Sequence, residues 1–164
     1  MFQSWPSGEK QGQLLCAHHV RGGQEDRRIL RVAPQPGVAI EESLRLLTPF
    51  PVLGRVTNTE TELAGQSIGT DELLMVWVAA ANRDPAQFAQ PQEFDIARDP
   101  NPHLAFGRGI HFCVGAPLAR LEGRVATNLL LDRYPRLRCD PEDPPVFLPT
   151  PNMVGAQKLP LLLA

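Results

Sequence analysis

At 164 residues the chain has room for one domain with one core, which is short for an enzyme built around a large cofactor. Its 16 Lys plus Arg against 18 Asp plus Glu leave a formal net charge of −2, and no excess of either sign marks a nucleic-acid or membrane-surface partner. The three cysteines, Cys16, Cys113 and Cys139, are odd in number and widely spaced without a CxxC pair, which argues against a disulfide framework and for a reducing, cytoplasmic setting.

Residues Met1 to Gln35 are rich in Gly, Gln and Arg and carry neither helical nor alternating apolar periodicity, so they are expected to be poorly ordered apart from a short helix near Glu25 to Val32. No apolar run there is long enough for a signal peptide or a membrane span. Cys16, His18 and His19 lie close together, yet CxHH does not give two separated ligand pairs, which makes zinc the weaker metal reading. Next, PGVAIEESLRLLTPF predicts a helix opened by Pro36 and stopped by Pro49, with Val38, Ile40, Leu44 and Leu47 on its apolar face.

From Val52 the texture changes to Val, Thr and Leu punctuated by glycine. Strands are expected at Leu53 to Thr57, at Glu62 to Ile68 and along the apolar run LLMVWVAAA. After Asn82 a proline-laced meander leads into HLAFGRGIHFCVGAPLAR, His103 to Arg120. Behind it Ala116 to about Arg133 is the strongest helix, with Leu118, Leu121, Val125 and Leu129 spaced three and four apart. Short strands around proline turns complete the chain.

The glycine-rich loop carries the chemistry. A cysteine thiolate, not a thiol, binds metal, and Cys113 precedes a helix N-terminus, where backbone N–H groups converge. Gly107, Gly109 and Gly115 have no Cβ, so the backbone is free to take positive φ and lie against a flat partner. Phe106 and Phe112 supply an apolar wall, and His111 is within reach of an anionic group beside the sulfur.

Phe106, Gly107, Gly109, His111, Cys113 and Gly115 spell FGxGxHxCxG, which resembles the haem-ligand loop of the cytochrome P450 family, and APLAR resembles its bacterial soluble members. Glu42 and Arg45 resemble the family's ExxR pair, a structural ion pair one helical turn apart. Arg55 in LGRVT matches a strand arginine that contacts a haem propionate in similar proteins, and AAANRDP is also typical of bacterial members. The similarity covers about Pro36 to Ala164.

The resemblance implies a mainly α fold with a small β-sheet (α+β), the P450 fold truncated to its C-terminal, haem-proximal portion. It implies haem b as cofactor with Cys113 as iron ligand, and propionate contacts from Arg55 and His111. The implied activity is monooxygenation of a small organic substrate, with electrons from a ferredoxin or flavoprotein for which Arg108, Arg120 and Arg124 are candidate contacts. The sequence departs from the family at PQEF, where Glu93 stands in place of an arginine that completes a network with the ExxR pair. Nothing in Met1 to Gln35 resembles the long helix that crosses the distal face of the haem, so no oxygen-activating residue is assignable. The alternative is a catalytically inactive remnant that at most binds haem.

Overall fold

The computed structural model describes residues 36–163. The segment before Pro36, with its expected helix and the Cys16, His18 and His19 cluster, lies outside the described residues. Helix α1, Pro36–Leu46, forms where expected, and the Thr48 hydroxyl donates to the Arg45 carbonyl at 2.9 Å, closing the last turn ahead of Pro49.

The buried side of α1 is the reverse of the one its hydrophobic pattern predicts. Ala39, Glu42, Arg45 and Leu46 are buried, whereas Val38, Ile40, Leu44 and Leu47 are only half-buried. Two opposite charges one turn apart can turn inward when every polar atom finds a partner, and that condition is met here. The apolar side of α1 meets a different neighbour: a Cβ at Gly123 would stand 3.4 Å from Ile40 Cδ1.

Strands β1, Leu53–Val56, and β4, Leu73–Val76, pair antiparallel with Leu53 opposite Val76. Between them the expected single strand over Glu62 to Ile68 is instead a hairpin of β2, Thr61–Leu63, and β3, Gln66–Ile68. Ala64 and Gly65 turn it with φ of 51° and 78°, the two left-handed residues that a two-residue loop of this twist requires. The run LLMVWVAAA also divides, since only its first part is strand and Val78–Ala81 forms a one-turn helix, α2. An apolar run alone does not separate strand from buried helix, and the alanines tip it to helix.

The meander after Asn82 is coil stitched by side chains. Asp84 and Asp95 accept from the amides two residues on, at 2.8 and 2.9 Å. A 3-10 turn, Gly109–His111, precedes helix α3, Ala116–Arg133, which has proline in its first turn. The tail folds into two further antiparallel pairs, β5, Arg138–Cys139, with β8, Leu161–Leu162, and β6, Val146–Phe147, with β7, Ala156–Lys158. The β structure of the described residues is thus small, as expected, and is divided among four two-stranded sheets. No helix among the described residues is long and apolar enough to cross a membrane.

Helix α3 forms as its periodicity predicts, but its stripe is bare: Leu118, Leu121, Val125 and Leu129 are 58, 47, 48 and 64% exposed. It touches α1 along the line of Gly123 instead. Replacing Gly123 with leucine should therefore lower stability by about 1–3 kcal/mol relative to Gly123→Ala, through overpacking against Ile40, as read from urea midpoints at unchanged m-value.

Candidate functional site

The largest fully buried side chains are Arg45, Glu42, Asn82 and Thr48, so the centre of the described structure is polar. Arg45 donates to both oxygens of Glu42, from Nε at 2.8 Å and Nη2 at 2.7 Å, the bidentate fork that suits guanidinium to carboxylate. Its remaining hydrogens go to the carbonyls of Asn82, Pro91 and Glu93 at 2.9, 2.8 and 2.9 Å, and its guanidinium lies 5.2 Å over the Phe88 ring.

Glu42 also accepts from Arg98 Nε at 3.1 and 3.2 Å, from the Asp95 amide at 2.9 Å and from Asn101 Nδ2 at 3.2 Å. Burial opposes its charge, yet bonds from Arg45, the Asp95 amide and Arg98 outweigh that and hold the carboxyl below its usual range. The network expected to be incomplete at Glu93 is complete. Glu93 is exposed and contributes only its carbonyl, so no two carboxylates face each other, and Arg98 is the third charged member. Reading only the position before Phe94 missed it; a second arginine four residues further on, in ARDP, was the available signal.

Asn82 carries this network to the cysteine loop. Its Nδ2 donates to Thr48 Oγ1 at 2.8 Å, and its Oδ1 accepts the Leu104 amide at 2.7 Å. A second cluster is centred on Glu41, which accepts from Arg120 Nε and Nη2 at 2.6 and 2.7 Å and bonds His103 Nε2 at 2.8 Å. Burial of Glu41 is again outweighed, here by Arg120 and His103, and its carboxyl sits below the usual range. Arg120 is raised by the same bond. Glu41 and His103 went unread in the sequence because a carboxylate and a histidine sixty residues apart share no spacing rule.

The loop itself is tied by backbone. The Cys113 amide donates to the Phe106 carbonyl at 2.9 Å, the Gly107 amide to Leu104 at 2.8 Å and the Phe112 amide to Gly109 at 3.0 Å. Gly107 and Gly109 take φ of 72° and 71°, where a side chain is strained, and a Cβ on Gly107 would also press on the His111 carbonyl at 3.3 Å. Gly115 differs from the expectation. As N-cap of α3 it has φ −81°, and a Cβ there would meet Cys113 Sγ at 3.7 Å, an ordinary contact, so neither backbone conformation nor a clash among the described residues calls for glycine.

Cys113 is a free, exposed thiol. Around it Ile110 and Val114 are almost wholly exposed and Phe112 is half so, and Phe106 stands edge-on to Phe112 with ring centroids 6.4 Å apart. A soft sulfur ligand rimmed by open apolar side chains and glycine backbone fits a flat apolar macrocycle. Both expected propionate contacts, Arg55 and His111, are exposed; Arg55 sits on β1 with Nη1 donating to the Gly54 carbonyl at 2.8 Å. Among the described residues no group of three or more metal-ligating side chains forms a site.

Residues 37–164 match the family model described as Cytochrome P450. Over 101 residues the chain is 50% identical to the putative cytochrome P450 YjiB of Bacillus subtilis (strain 168), covering 62% of this chain and 26% of that protein. It is 42% identical over 160 residues to cytochrome P450 109 of Bacillus spizizenii, covering 94% of this chain and 40% of that protein. The solved structure of HmtT, involved in himastatin biosynthesis, matches with a TM-score of 0.82 at 50% identity, over 93% of this chain and 38% of that one. The chain therefore spans well under half the length of these relatives.

The buried pair sets two expectations. Arg45→Ala strips Glu42 of its main partner and orphans three carbonyls, so it should cost about 3–5 kcal/mol of stability, measured by chemical denaturation. Because the folded pKa of Glu42 is lowered, its contribution is complete above the ordinary value of 4.5 and is lost as pH falls through the folded value. Glu42→Gln, less stable at neutral pH, should accordingly show a shallower loss of stability on acidification than the wild type.

Proposed function

The chain belongs to the cytochrome P450 family, and from that premise we propose that it forms the thiolate side of a haem pocket, with Cys113 as the iron ligand. The observation that carries this reading is a free, exposed Cys113 on a loop whose two left-handed glycines and apolar rim suit a flat partner. Haem b is the cofactor of the family and, when bound, supplies the iron chemistry by which molecular oxygen is activated for monooxygenation.

The chain's own residues divide the remaining work. Gly107 and Gly109 hold the loop backbone in the left-handed region beside the sulfur. Phe106 and Phe112 limit water access to it, and Arg55 and His111 offer positive or hydrogen-bonding groups to the propionates. Arg108 and Arg124 are exposed and face a ferredoxin or flavoprotein donor in this reading, in a cytoplasmic setting with a small organic substrate. Arg120 is withdrawn from that role, because Glu41 holds it.

A second reading, a haem-binding protein without turnover, is favoured by the bare stripe of α3. Four apolar side chains about half exposed leave an apolar surface open among the described residues. The two readings part on one sample. With haem added to the purified chain, reduction and carbon monoxide should give the red-shifted Soret band of thiolate ligation, and Cys113→Ala should abolish it. Identical spectra for the two proteins remove Cys113 as ligand. A thiolate band without substrate-coupled consumption of reducing equivalents, once redox partners are supplied, leaves the second reading standing.

A further inference from the structure

Two consecutive glutamates on α1 serve two separate networks. Glu42 faces the meander, through Arg98, Asn101 and the Asp95 amide. Glu41 reaches His103 and Arg120, and those two residues are the first and last of the stretch that contains the cysteine loop. We infer that Glu41 is a clasp: one carboxylate joins the two stems of the loop and thereby positions Phe106 and the Cys113 backbone.

The geometry at each stem supports a fixed arrangement. His103, whose side chain is 2% exposed, accepts the Ala105 amide on Nδ1 at 3.2 Å. That leaves Nε2 as the protonated nitrogen, which donates to Glu41 Oε2 at 2.8 Å. The ring orientation is thus set from both sides. Arg120 engages both oxygens of Glu41 at once, a fork that leaves its plane little freedom, and its guanidinium lies 4.7 Å over the Phe106 ring.

Phe106 is therefore bounded by Arg120 above, by Phe112 at 6.4 Å and by His103 at 6.4 Å. Its carbonyl receives the Cys113 amide at 2.9 Å. Closing a loop at its base removes the conformational freedom of everything between the closed points, here including Cys113. Glu41, His103 and Arg120 are on this account positioning residues; none of them touches the sulfur. Their meaning for the iron ligand rests on the haem reading above, whereas the clasp itself does not.

Residue-resolved amide hydrogen exchange on the full chain separates the two. In Glu41→Ala the amides of Cys113 and Gly107 should exchange about tenfold faster or more, while the Asp95 amide, bonded to Glu42, keeps its wild-type rate. Arg120→Lys, which preserves charge but not the fork or the stacked plane, should act in the same direction on the same two amides. If all three amides speed up together, Glu41 is only a stability element; if none changes, there is no clasp. Should Glu41→Ala fail to fold, Arg120→Lys is read by the same criteria. With haem added, Arg120→Lys should lower the share of the thiolate-type Soret band relative to wild type. A wild type without that band overturns the haem reading and leaves the exchange result to stand or fall alone.

Discussion

The ion pair between Glu42 and Arg45 is the constraint on which the described structure depends. Both side chains are wholly buried, and isolated charges in such a place would cost far more than the fold could offset. They are tolerated because the surrounding coil is arranged to satisfy them. Carbonyls from Asn82, Pro91 and Glu93 converge on one partner, and an amide, an amide side chain and a guanidinium converge on the other. A meander without strands or helices has no backbone ladder to fix its path, so the pair does that service. Its contribution is best understood as specificity of one path over others rather than as net stability.

Much of the architecture was legible from local rules. The bounds of α1 and α3 followed from proline punctuation and apolar spacing, and the glycine-bracketed loop was visible residue by residue. Where the reading of α1 failed, the cause was a set of contacts that no local rule encodes. The inward side of α1 is polar because distant groups satisfy it. Gly115 takes an ordinary negative φ as the N-cap of α3, unlike the two left-handed glycines before it. The single strand over Glu62 to Ile68 became a hairpin because Ala64 joined Gly65 in the left-handed region, a choice that favours few residues besides glycine, asparagine and aspartate and was invisible in composition.

The candidate site shows the same division. Cys113, Phe106, Gly107 and Gly109 lie adjacent in sequence and assemble through backbone bonds within the loop. Arg98, Asn82, Asn101 and His103 lie 34 or more residues from the Glu42, Thr48 or Glu41 side chain that each one bonds, and each enters by long-range bonds that only the folded chain reveals. The exposed stripe of α3 belongs with these. Its periodicity correctly gave a helix, yet periodicity states only that an apolar side exists, not that the chain provides its cover.

Adjacent residues on an α-helix point about 100° apart. Glu41 and Glu42 are bonded to different segments, one to the stems of the cysteine loop and the other to the meander, so together they key α1 in rotation about its own axis. Either network alone would permit a small roll of the helix; the two together do not. Adding one residue within α1 between Glu42 and Arg45 leaves the two glutamates in register with each other but turns Arg45 about 100° away from Glu42, so the fork that gathers the Asn82, Pro91 and Glu93 carbonyls is lost.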